Sequence, residues 1–201
     1  VDTEDTYLTL ANDSEGLYKD KGSKFLSFAF PVSNEDEIKE KLDFLRKKFY
    51  DARHHCYAYI LGKDKGIFRS NDDGEPNHSA GDPILGQIRS NQLTNVLIVV
   101  VRYFGGVKLG VGGLISAYRT AAAEAISNNN IVEAIVKKTV SLHFDYLSIN
   151  DVMKVIKDYN LEISDQHFDN DCRVTLSVRE GILEEINSKF ESLEAVKITI
   201  G

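Results

Sequence analysis

Tryptophan is absent from these 201 residues, methionine occurs once, cysteine twice and proline three times. Cys56 and Cys172 lie far apart and neither belongs to a Cys-x-x-Cys pair, which excludes a dithiol redox motif and a thiolate metal knuckle. Two thiols so placed suit a reducing compartment, where they act as small buried apolar groups, so no disulfide between them is expected. No apolar run is longer than the six residues Val96–Val101, far short of the roughly 20 that a membrane-spanning helix needs. The opening Val1-Asp2-Thr3-Glu4-Asp5 has neither the basic start nor the apolar core of a signal peptide. Position 1 is not Met, which suggests a trimmed end, and a cytoplasmic location without membrane contact is expected.

Acidic residues are missing where it matters most. From Pro83 to Ala123 there is no Asp or Glu, while Arg89, Arg102, Lys108 and Arg119 contribute four positive charges. From Ile131 to the end there are 13 acids against 8 bases, a net of −5. The whole-chain charge of −7 therefore excludes a generic nucleic-acid sponge but not a local anion-attracting face. Exposed charges are screened beyond about 10 Å, so such a face can coexist with an acidic remainder.

What is present reads as mixed α/β. Strands are predicted at Tyr7–Leu10, Ser23–Val32, His55–Leu61, Ile67–Phe68 and Val96–Phe104, the last being the richest in β-branched residues. Asn34 with Glu37 three residues on forms a capping-box pattern. Behind it Ile38, Leu42, Leu45 and Phe49 recur at helical spacing. Asp82-Pro83 predicts a second helix, with Asp82 as its N-cap, reaching about Asn91. An Ala-rich helix is predicted from Leu114 to Asn128. The polar triplet Asn128-Asn129-Asn130 then marks a division into domains 1–130 and 131–201. The second domain reads as strand, helix, two strands joined at Asp169-Asn170-Asp171, helix and strand, with Ser148 as a helix cap. This βαββαβ order is the ferredoxin-like plan.

The segment most informative about function runs from Arg102 to Leu114. A buried strand delivers Arg102, Tyr103, Phe104, Gly105, Gly106 and Lys108 into a loop, and Gly110, Gly112 and Gly113 lead into a helix. Glycines permit sharp turns and close approach of a ligand to backbone N–H groups, and a helix N-terminus favours an anion. No Gly-Lys-Ser/Thr closes the loop, and Ile115 stands where a third dinucleotide-type glycine would be needed. Close packing and anion binding both stay open on composition. Tyr118 and Arg119 are the expected exposed aromatic–cation pair on that helix.

A second cluster comprises Arg53, His54, His55, Asp72, Asp73, Glu75 and His78. Carboxylates with imidazoles invite a metal or an acid–base reading, but His54 and His55 on one strand point to opposite faces. Asn-Asp-Asp-Gly is ordinary turn chemistry, and the favoured expectation is a polar loop packed beside Arg53 or Arg102. A nucleophilic Cys56 is disfavoured mid-strand. No metal and no cofactor are expected.

Arg102-Tyr103-Phe104-Gly105-Gly106-Val107-Lys108-Leu109-Gly110 closely resembles the signature of the IMPACT/YigZ family. The likeness extends to Asp51–Ala58, Ser70–Pro76 and Ala80–Leu85, and covers about residues 15–125. It implies an α+β chain: an N-terminal βαβ domain of IMPACT type, shared with a small-subunit ribosomal protein, then a ferredoxin-like domain resembling part of elongation factor G. It also implies a role near RNA or translation, although fold alone is a weak warrant for function. Eukaryotic members regulate translation through a large activator of a starvation kinase, a role not carried over to the two-domain bacterial layout. The leading expectation is a non-enzymatic module binding RNA or a ribosome-associated anion. Its site would comprise Arg102, Gly105, Gly106, Lys108, Gly110, Gly112, Gly113, Tyr118 and Arg119. The alternatives are a small-molecule phosphate- or nucleotide-binding protein or enzyme using the same glycine-rich loop, or a module that meets a protein partner through the acidic second domain.

Overall fold

In a computed structural model, which describes residues 5–201, the chain divides into two units. Most of the acidic opening read above lies outside the described residues. One unit is 7–134; the other is 135–201 together with Asp5 and Thr6, so the division falls after Ala134. A separate two-stranded sheet pairs β1 (Thr6–Leu10) with β7 (Ile131–Ile135). Among the described residues no helix is long and apolar enough to cross a membrane.

The first unit is built on five antiparallel strands: β2 (Ser14–Asp20), β3 (Ser23–Pro31), β4 (His54–Leu61), β5 (Ile67–Asn71) and β6 (Val96–Tyr103). Their order is β2-β3-β6-β4-β5. Strands β3 and β4 both run antiparallel to β6, hence parallel to each other, and α1 (Glu35–Lys48) connects them as a split βαβ unit. Alternation along the strands sorts side chains onto two faces. Phe28, Phe30, Tyr57, Tyr59, Leu97, Val99 and Val101 meet Ile38, Leu42 and Leu45 of α1. Phe25, Ala29, Cys56, Ala58, Ile98 and Val100 meet α2 (Gly81–Ser90) and α3 (Gly110–Ser127). Covered on both faces, β6 reads as the continuous apolar run that such a strand requires.

Helix α1 begins as its capping box predicts. The Asn34 side chain accepts from the Glu37 N–H at 2.9 Å, while the Glu37 carboxylate reaches back to the Ser33 N–H at 2.8 Å. Helix α2 does not begin as predicted. Asp82 lies inside it, and the cap comes from the preceding loop, where Asp72 Oδ1 accepts from the N–H groups of Ala80 and Gly81 at 3.1 and 2.8 Å. Helix α3 starts a turn earlier than Leu114, so Gly110, Gly112 and Gly113 form its first turn. Each glycine costs about 1 kcal/mol of helix propensity. Burial of Leu114, Ala117, Tyr118, Ala121, Ala122 and Ala125 against the sheet outweighs that cost.

The second unit contains β8 (Lys137–Asp145), α4 (Ile149–Asp158), β9 (Glu162–His167), β10 (Asp171–Arg179), α5 (Leu183–Glu191) and β11 (Val196–Ile200). The sheet order β11-β8-β10-β9 and its antiparallel pairs are those of the ferredoxin-like fold. The chain is thus α+β with two domains, as expected. Ser148 caps nothing with its side chain; Asp145 instead accepts from the Ser148 N–H ahead of α4. Both cysteines are free and buried.

Within this unit Asp5 is buried and takes a fork from Arg179, Nε at 2.6 Å and Nη2 at 2.7 Å, and a third bond from the Gly181 N–H. The Arg179 hydrogen bond is the main reason its carboxyl is held at about 2, well below the usual range. A carboxyl depressed in the folded state contributes stability above its unfolded pKa of about 4, and that stability is lost as pH falls through the folded value. Asp5→Asn is therefore expected to lower the melting temperature at pH 6 and to flatten its decline between pH 4 and 2. A profile parallel to that of the parent chain would contradict this.

Candidate functional site

Four strands of the first sheet reach one end together: β6 finishes at Tyr103, β4 begins at His54, β3 begins at Ser23 and β2 finishes at Asp20. Register sets Lys24 opposite Tyr103 and His54 opposite Arg102. Two loops close this end, the turn at Lys21-Gly22 and the Phe104–Leu109 segment before α3. The loops touch through glycine. A Cβ on Gly105 would lie 1.9 Å from the carbonyl carbon of Gly22, so no other residue fits there.

Beneath the loops lies a buried polar network. Arg102, only 6% exposed, places Nη1 2.6 Å from Oε1 of Glu75, itself 8% exposed. The same carboxylate oxygen accepts the Tyr118 hydroxyl at 2.8 Å, and His54 Nε2 stands 3.9 Å away. Arg102 Nη2 reaches Ser23 Oγ at 3.4 Å, and that oxygen also accepts the Gly105 N–H at 3.2 Å. The guanidinium lies between two rings, 5.5 Å from the centroid of Phe25 and 5.6 Å from that of Phe104. A buried guanidinium needs such carboxylate and aromatic partners, because its desolvation penalty is several kcal/mol. The expectation that Arg102 packs beside the acidic loop holds, with Glu75 as its partner. Its charge is consequently spent inside the protein and does not face an outside anion.

Tyr118 is likewise not the exposed aromatic expected beside Arg119. It is fully buried, edge-on to Phe25 at 5.1 Å, and burial pushes its phenol far up. The exposed ring is Phe104, at 58%. Tyr103 turns aside, its hydroxyl donating to Asp51 at 2.8 Å, and burial together with Asp51 raises its pKa to about 12. Cys56 donates to the Asp72 carbonyl at 3.0 Å and is pushed up by burial, the reverse of an activated nucleophile.

The acidic loop is occupied with its own architecture. Asp72 Oδ2 accepts from the His78 N–H at 2.9 Å. Asp73, in the left-handed region at φ 40°, takes the His55 N–H on Oδ2 at 2.7 Å, and its carbonyl meets His54 Nδ1 at 2.8 Å. His55 points away from His54, towards the Phe49 carbonyl at 3.1 Å, and burial lowers its pKa. Among the described residues no three His, Cys, Asp or Glu side chains gather as a metal set.

The remaining candidates are exposed and fall into two places. At the sheet end, Gly106, Gly110 and Gly112 leave open space where a side chain would stand, and Lys108 is beside them. Lys21, Lys24 and Arg53 are exposed at the same end. None of these four cations has a hydrogen-bonding or ion-pair partner among the described residues. Arg119 is elsewhere, about 14 Å along α3 from its first residue. With Gln87, Ile115, His78 and Asp82 it lines a groove of about 350 Å³ between α2 and α3. His78 is exposed, at φ 64°, and bonded through Nδ1 to Asp82 at 2.6 Å.

Breaking the buried pair should cost far more than trimming it. Arg102→Met, which strands the Glu75 carboxylate, is expected to destabilise the first unit by about 3–5 kcal/mol. Tyr118→Phe, which removes one bond to that carboxylate, is expected to cost about 2 kcal/mol. Urea unfolding measures both, and an Arg102 variant less damaging than the Tyr118 variant would contradict the assignment.

Residues 21–126 match the family model described as the Impact N-terminal domain. The chain is 30% identical over 175 residues to the IMPACT family member YvyE of Bacillus subtilis, covering 87% of this chain and 81% of that one. It is 35% identical over 159 residues to an IMPACT family member of Thermus thermophilus, covering 79% and 86%. A solved structure described only as a hypothetical protein superposes with a TM-score of 0.74 at 23% identity, covering 96% of each chain, which supports the fold. The matched stretch holds Arg102, Glu75, Tyr118 and the glycine loop alike, and the chain belongs to the IMPACT family.

Proposed function

We propose that this protein binds RNA, in a translational setting, through the end of its first sheet formed by the Lys21–Lys24 hairpin, Arg53 and the Phe104–Gly112 segment. The observation that carries the proposal is a set of four exposed, unpaired cations around an open glycine loop and an exposed ring. Phosphate contacts from Lys and Arg supply most nonspecific nucleic-acid affinity, and backbone N–H groups at a helix start add to them. Helix α3 has no side-chain cap and no acid in its first turn, so its own start places no competing charge on those N–H groups. The preference for RNA over DNA comes from the resemblance of both domains to parts of the translation machinery.

The sheet of the second domain lacks an exposed ring for this role. Its open face carries Arg173 and Lys197 beside Thr139, Ser141 and His143, but β8, β10 and β11 expose no Phe, Tyr or Trp there. Ferredoxin-like RNA binders use aromatics at such positions, and this unit is also net acidic. The alternative of a small-phosphate site would use the same open glycine loop and helix start; the α2–α3 groove adds nothing to it, because the Asp82 carboxylate on its wall opposes an anion. No reaction is proposed.

Binding of a labelled RNA at 50 and 200 mM salt tests the proposal. Affinity is expected to fall steeply with salt, and Lys108→Ala to weaken binding roughly threefold to tenfold and to reduce the salt slope by about 1. No binding at low salt, or binding indifferent to both Lys108→Ala and Arg53→Ala, would overturn it.

A further inference from the structure

Phe104 is unusual for an exposed ring because one of its faces is already taken. The Arg102 guanidinium lies against it at 5.6 Å and is itself held by Glu75, Ser23 and the Phe25 ring behind. An exposed phenylalanine ordinarily samples several rotamers; this one is anchored from beneath by a buried charge. The preceding Tyr103 is tied to Asp51 and the following Gly105 is locked against Gly22, so the backbone on either side is also fixed. The outer face, with 58% of the residue exposed, is left for another group.

The chemistry of that group follows from the surroundings. A cation beneath the ring draws π density away from the outer face, which disfavours a second cation and favours an electron-rich planar partner. The cations near it, Lys21 on the turn whose Gly22 packs against Gly105 and Lys108 four residues on, call for negative charge beside that plane. A planar base flanked by phosphates meets both requirements. Inside a duplex the base faces are covered by neighbouring pairs, so the base must be unpaired.

We infer that Phe104 is a pre-set stacking platform for an unpaired base, which makes single-stranded RNA the substrate class of the site proposed above, on which this inference rests. Lys108 and the Lys21–Lys24 hairpin take the phosphates on either side. Arg102 is a positioning residue here: it fixes the ring and touches no base.

The absence of tryptophan supplies a direct probe, since Phe104→Trp introduces the only indole in the chain. Its emission is expected to be quenched, saturably, by a single-stranded oligonucleotide and not by a blunt duplex of the same sequence. Phe104→Leu, which keeps an apolar side chain, is expected to lower single-strand affinity roughly tenfold, within the range for loss of one base–aromatic stack. Its salt slope should stay that of the parent, because the phosphate contacts are untouched; a merely structural ring would not split the two readouts. If the duplex binds as well as the single strand, or Phe104→Leu binds both unchanged, the stacking inference falls while the RNA proposal stands. If neither RNA binds at low salt, both fall.

Discussion

A guanidinium and a carboxylate, each more than nine-tenths buried, meet at 2.6 Å where the acidic loop passes the last residues of β6. Neither Arg102 nor Glu75 could be buried alone, since each unpaired charge would cost several kcal/mol. Together they tie a loop from one part of the sequence to a strand from another. Around that tie the rest assembles. Tyr118 brings in α3, Ser23 brings in β3 and the Gly105 backbone, and Phe25 and Phe104 close above and below. Replacing such a pair with apolar groups is often neutral for stability, so its retention here is best explained by what it positions.

What it positions is a surface. The network is closed inward, with the Arg102 charge paired to Glu75 and the Tyr118 hydroxyl engaged, while the outer face of Phe104, Lys108 and the open glycines have no polar partner among the described residues. One short motif thus divides its labour by direction. Arg102 and Gly105 serve the interior, the first through its counter-ion and the second through a contact that admits no Cβ. Gly106, Lys108 and Gly110 face the solvent.

Much of the fold could be read from residues whose local preference agreed with their final environment. The capping box of Asn34 and Glu37, the apolar run of β6 and the βαββαβ rhythm after residue 136 are of this kind. Strand β2 was not legible, because Glu15, Gly16, Lys19 and Asp20 give it no apolar alternation and it forms by pairing with β3 at a sheet edge. Asp82 looked like a cap because it precedes Pro83, yet the helix starts before it, where Asp72 accepts the Ala80 and Gly81 N–H groups, and Asp82 bonds to Ser70 and His78 instead. The site was legible in its membership and less so in its orientation. An Ala-rich helix gives no hint of which face is inward, so Tyr118 and Arg119, adjacent in sequence, could be told apart only by packing. Phe104 hid for the opposite reason: at the end of a strand of buried residues it reads as core, and only the arrest of β6 at Tyr103 turns it out.

The central claim is that the Arg102–Glu75 pair couples the acidic loop to the glycine loop. Hydrogen–deuterium exchange on the full chain carrying Arg102→Met tests it most directly. Amides of 71–80 and of 104–110 should lose protection together, while those of β8, β10 and β11 exchange as in the parent. Loss of protection confined to one of the two loops, with the other unchanged, would contradict the claim.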